Sequence, residues 1–109
     1  MLILFDQGTP VPIRRSLKGH SVRTAREQGW STLNNGDLLR AAEEAGFDVV
    51  LTTDKNMSYQ QNLARRRIAV IVLGNGLWPL VKPVLGRVLA AVNAAKPGSY
   101  TEVEIPSAA

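Results

Sequence analysis

Two apolar segments each run straight into an aspartate: Leu2-Ile3-Leu4-Phe5 leads to Asp6, and Val49-Val50-Leu51-Thr52-Thr53 leads to Asp54. The placement matters because an open α/β sheet binds its ligands in the crevice beyond the carboxyl ends of its strands. If the two segments are parallel strands, both carboxylates arrive at one rim. Converging carboxylates suit a hard divalent cation, since Mg2+ and Mn2+ favour oxygen ligands and keep several waters. Such a cation neutralises charge developing on a phosphodiester and lowers the pKa of an attacking water. Asp37, at the start of a helical stretch, is the third candidate, as a ligand or as a base that orients water.

Each of these residues also has a structural use. Aspartate ends strands and caps turns generally, and Asn34-Asn35-Gly36-Asp37 has the form of a helix cap with an acid in its first turn. Thr52 and Thr53 can position a bound water or substrate, or serve as ordinary strand residues; Lys55 can hold a phosphate, or simply be solvated. Glu27, Glu43, Glu44 and Asp48 read as surface acids, with Glu27 held in reserve because it precedes the loop towards Asp37.

Charge is spread unevenly. Residues 1–54 carry six basic and seven acidic side chains, residues 55–109 seven basic and two acidic, and no acid occurs from Lys55 through Tyr100. Such asymmetry attracts a polyanion, and Arg65-Arg66-Arg67 with Lys55 are the expected phosphate contacts. A solvated basic face is the alternative, because a net charge of +4 is ordinary for a small domain.

The elements that must hold these residues alternate between strand and helix. Leu2–Phe5 is a strand, the stretch from Pro12 to Leu17 a short helix with Pro near its start, and Ser21 to Ala25 a weak strand. Asp37 to Ala45, with Leu38, Leu39, Ala41, Ala42 and Ala45 along one side and Gly46 at its end, is the clearest helix. Phe47 to Thr53 is the second strong strand, Met57 to Leu63 a short helix, and Ile68 to Leu73 a β-branched run of the kind buried on both faces. Trp78 to Ala95 reads as one long helix containing Pro79 and Pro83, and Tyr100 to Ile105 as an edge strand. The expected architecture is α/β, a mostly parallel central sheet with helices on both faces.

With 109 residues the chain is one domain by size, residues 1–105, followed by a disordered tail at 106–109. Its 45% apolar and 20% charged residues are those of a soluble globule, and no apolar run approaches the ~18 residues of a membrane span. There is no cysteine, which removes disulfides, thiolate catalysis and sulfur-bound metals. No secretory signal opens the sequence, so a cytoplasmic protein is expected.

The order Ile3-Leu4-Phe5-Asp6, Asp37-Leu38-Leu39-Arg40-Ala41-Ala42 and Leu51-Thr52-Thr53-Asp54-Lys55-Asn56 resembles a compact branch of the PIN-like nucleases, related to the VapC-type toxins. The likeness spans about residues 1–75. It implies a PIN-like fold and a Mg2+- or Mn2+-dependent ribonuclease, with Asp6, Asp37 and Asp54 at the family's acidic positions. It also implies RNA as substrate, as in the toxin of a toxin-antitoxin-like pair; a small antitoxin-like protein and a second copy of the chain are further partners, and a membrane is not. Where relatives often carry acids beside the first and after the last aspartate, this chain has Gln7 and Asn56, whose amide oxygens ligate without supplying charge. Those two residues favour a different reading, a non-catalytic binding protein that docks a partner protein or nucleic acid on its basic half.

Other chemistries fit less well. Asp6-Gln7-Gly8-Thr9 is similar to the nucleophile loop of haloacid-dehalogenase phosphatases, but Gly8 stands where their second aspartate belongs. A phosphoacceptor receiver domain would need an acidic pair after the first strand. Gly74-Asn75-Gly76 suits a turn as well as a phosphate nest, and the lone His20 makes neither a triad nor a multi-histidine metal site. Trp30 and Trp78 can stack bases or anchor packing.

Overall fold

Five short strands form a single all-parallel sheet in the order β2-β1-β3-β4-β5, in a computed structural model that describes residues 1–57 and 63–107. The strands are β1 (Leu2–Phe5), β2 (Ser21–Thr24), β3 (Val49–Thr52), β4 (Ala69–Leu73) and β5 (Tyr100–Val103). Helices α1 (Asn35–Glu44), α2 (Trp78–Val81) and α3 (Leu85–Ala94) supply the crossovers, with 3-10 turns at Val11–Ser16, Leu63–Arg65 and Lys82–Val84. The expected α/β sheet with helices on both faces is therefore present. No helix among the described residues is long and apolar enough to cross a membrane.

Strand periodicity sorts the apolar side chains into two cores. Ile3, Phe5, Val49, Leu51, Ala69, Ile71 and Leu73 face one side, where Ile13, Val81, Val88 and Val92 cover them. Leu4, Val50, Val70 and Val72 face the other, beneath Leu38, Leu39 and Ala42 of α1. Because alternate residues of a strand leave on opposite faces, β1, β3 and β4 are buried on both, which explains their continuous apolar runs.

Several elements depart from their sequence-predicted bounds. The helix from Pro12 to Leu17 is a 3-10 turn, Val11–Ser16; at this length the tighter helix is an ordinary outcome. The long helix is broken at Lys82–Val84, since Pro83 has no N–H to give to the preceding turn. Helix α1 begins two residues before Asp37, where Asn34 Oδ1 accepts the Asp37 N–H at 2.8 Å. The helix expected at Met57 to Leu63 falls mainly on 58–62, outside the described residues. Pro106 and Ser107 are exposed without regular structure, and positions 108–109 also lie outside the described residues.

The strand order places a reversal between β1 and β3. From β1 the chain turns outward to β2, crosses back through α1 to β3, and then continues to β4 and β5 on the other side. At such a switch point the loops leave in opposite directions and open a crevice beyond the carboxyl ends. Asp6 and Asp54 follow the two strands that flank it.

Candidate functional site

Register brings the first pair of groups together. Phe5 pairs with Leu51 and the Asp6 N–H donates to the Leu51 carbonyl at 2.9 Å, so Asp6 lies beside Thr52. Both residues share the face of Leu4 and Val50, the side covered by α1. Thr52 is wholly buried, and its hydroxyl donates to Asp6 Oδ2 at 2.8 Å while accepting the Asp54 N–H at 3.1 Å. One hydroxyl thus joins the ends of both strands.

The remaining carboxylate oxygens are also oriented. Asp6 Oδ1 accepts the Gln7 N–H at 2.8 Å, and Asp54 Oδ1 accepts the Asn56 N–H at 2.9 Å. From the first turn of α1, Asn35 Nδ2 donates to Asp54 Oδ2 at 2.7 Å. Among the described residues no cation pairs with Asp6 or Asp54; the ion pairs are Arg14–Glu27, Arg40–Asp37 and Arg66–Glu43. Each carboxylate oxygen can accept again, so the pair keeps both charge and free lone pairs.

The loops behind this pair are interlocked. Gly8 has φ of +87°, and a Cβ there would stand 2.7 Å from Thr53 Oγ1. A Cβ on Gly76 would meet the Gly8 carbonyl oxygen at 2.5 Å. The Gly74-Asn75-Gly76 turn therefore packs against the β1 loop through Gly76 and against the backbone after β5 through Gly74, with Asn75 Oδ1 accepting the Leu77 N–H.

The remaining expected site residues stand as follows. Asp37 bonds to Arg40 at 3.2 Å and through its backbone to Asn34, not to Asp6 or Asp54. Among the described residues no group of three histidine, cysteine or acidic side chains stands where it could hold a metal ion. Lys55 is exposed directly after Asp54 and lines a cleft of about 450 Å3 with Gly74, Glu102 and Glu104. Arg65, Arg66 and Arg67 precede β4 and so occupy the opposite rim, a strand's length or roughly 15 Å from the carboxylates. There Arg67 lines a cleft with Met1, Asp48 and Val49.

Glu43 corrects its reading as a surface acid. Its side chain is 17% exposed and accepts from Arg66 Nη1 at 2.6 Å and from the Arg67 N–H at 2.9 Å. Burial pushes the Glu43 pKa up, but the Arg67 N–H and the Arg66 guanidinium outweigh it and leave it below the ordinary 4.5. Glu27 is likewise held below its ordinary value, by the Thr24 N–H first and by Arg14 next. It fastens the turn after β2 to the Val11–Ser16 segment.

Trp30 packs edge-on against Phe47, with centroids 5.8 Å apart, and Trp78 packs against the first core. Both are packing anchors. Sequence reasoning missed Asn35, whose signal was its position in the cap segment of α1. No family model matches the chain, and no curated protein and no solved structure matches it.

Proposed function

We propose that the chain is a metal-dependent ribonuclease of the PIN-like type, of the kind that serves as the toxin of a toxin-antitoxin-like pair. The observation that carries this reading is the Thr52 hydroxyl, which ties Asp6 to the backbone of Asp54 at the sheet's switch point while no described cation neutralises either carboxylate. The donor set fits Mg2+ or Mn2+: the two carboxylates are hard oxygen ligands, oriented by the Thr52 hydroxyl and the Asn35 amide. Mg2+ is commonly held by one or two carboxylates with water and substrate phosphate completing its shell.

Bound there, a divalent cation would neutralise charge developing on the phosphodiester and lower the pKa of an attacking water. Asp6 and Asp54 would hold the cation, with Thr52 and Asn35 orienting their carboxylates, and Lys55 would meet a phosphate of the strand. Asp37 serves as the acid of the α1 cap. Calorimetric titration with Mn2+ should give binding heat for wild type and little for Asp6→Asn or Asp54→Asn, with RNA cleavage falling at least about a hundredfold. Indistinguishable heats from all three proteins would eliminate the shared site.

The second reading, a non-catalytic PIN-like protein that docks a partner protein or nucleic acid, is favoured by Gln7, Asn56 and the two-carboxylate count. RNA binding that persists in chelator, without cleavage in Mn2+, would select it.

A further inference from the structure

A second cleft adjoins Asp6 on the side away from β3. It encloses about 280 Å3 between the ends of β1 and β2, and its walls include Asp6, Gln7, Thr9, Val11, Thr24 and Arg26. We infer that this cleft is a nucleotide subsite, holding the base and sugar next to the phosphodiester at Asp6 while Arg26 takes the neighbouring phosphate. The inference rests on the ribonuclease reading and adds to it where the strand lies.

Three features point to this occupant. Asp6 belongs both to the carboxylate pair and to the cleft wall, so a group seated in the cleft is covalently within reach of the phosphate at the pair. The volume falls just below the ~300–1,000 Å3 of clefts that enclose drug-sized ligands, which suits one nucleotide and not a length of strand. The lining combines an apolar lip, Val11 at 51% exposure, with neutral hydrogen-bonding groups and an exposed cation, Arg26. Among the described residues Arg26 has no ion pair, so its guanidinium is available for bidentate contact with phosphate.

Electrostatics favours this cleft over the larger one. The larger cleft beside Lys55 is walled by Glu102 and Glu104, which repel a polyanion. Among the described residues lining the smaller cleft the only acid is Asp6, whose charge a bound divalent cation would offset. Strand binding here should therefore tighten when Mg2+ is present.

The test is equilibrium binding of a short, unstructured, fluorescently labelled RNA to the whole chain, in Ca2+ and in chelator, beside Mn2+-dependent cleavage of the same RNA. Arg26→Ala and Val11→Asp should each weaken binding in Ca2+ about tenfold, with Arg26→Lys recovering part of the loss. In cleavage assays both should raise KM more than they lower kcat. Their melting temperatures should match wild type, because both side chains are exposed. If wild type cleaves RNA in an Asp54-dependent way while both variants bind within twofold of it, the subsite is wrong and the ribonuclease reading survives. If wild type neither binds nor cleaves RNA, both are overturned.

Discussion

At the amino ends of the strands the Glu43 carboxylate is answered by Arg66 and by the Arg67 N–H, whereas at the carboxyl ends Asp6 and Asp54 are answered by a hydroxyl, an amide and backbone N–H groups. The same functional group thus stands in two electrical settings within one small sheet. Where the carboxylate is compensated by a guanidinium and largely buried, its work is to hold α1 to the entry of β4. Where it is only oriented, no cation among the described residues offsets it. A carboxylate's neighbours, more than its position on a strand, separate the ion-paired acid from the pair proposed as ligands.

Three substitutions would break or sharpen this contrast. The largest loss of stability is expected from Glu43→Gln, about 2 kcal/mol in urea unfolding, because Arg66 loses its charged partner in a mostly buried place. Since the Glu43 pKa is lowered on folding, its stabilisation is fully present above about pH 4.5 and is lost as pH falls through the lowered value. The gap between wild type and Glu43→Gln should accordingly close in acid; a gap that widens there would assign the effect to another group.

Thr52→Val should come next, at about 1 kcal/mol, since the isosteric side chain fills the same volume but removes both the bond to Asp6 and the acceptor for the Asp54 N–H. Asp54→Asn should move stability least, within about 0.5 kcal/mol. Loss of the Asn35 contact is there offset by relief of repulsion from Asp6, and the site is close to the surface. Were Asp54→Asn to destabilise as much as Glu43→Gln, the carboxyl-end rim would be a structural device and the contrast would fail.

Much of this arrangement was legible in the sequence. Apolar runs ending in Asp6 and Asp54 specify strand ends, and the β-branched run before Gly74 specifies a strand covered on both faces, so the parallel sheet and its rim follow from pattern. The lateral neighbours did not follow. Counting charges by halves of the chain grouped Lys55 with Arg65, Arg66 and Arg67, yet a residue that follows a parallel strand and one that precedes the next lie at opposite ends of the sheet. Glu43 looked like a solvated helix acid because its partner is distant in sequence. Asn35 was hidden for the same reason, since its role depends on how the first turn of α1 docks over β3.

The mutual contact of Gly8, Thr53 and Gly76 fixes a gauge at the heart of the fold. Since even a methyl group at position 76 would strike the backbone oxygen of residue 8, the first, third and fourth strand ends are latched into one unit and none can be respaced alone. Engineering of this protein therefore has its freedom on the β2 flank, where the exposed Val11 and Arg26 can be varied without unfastening the latch.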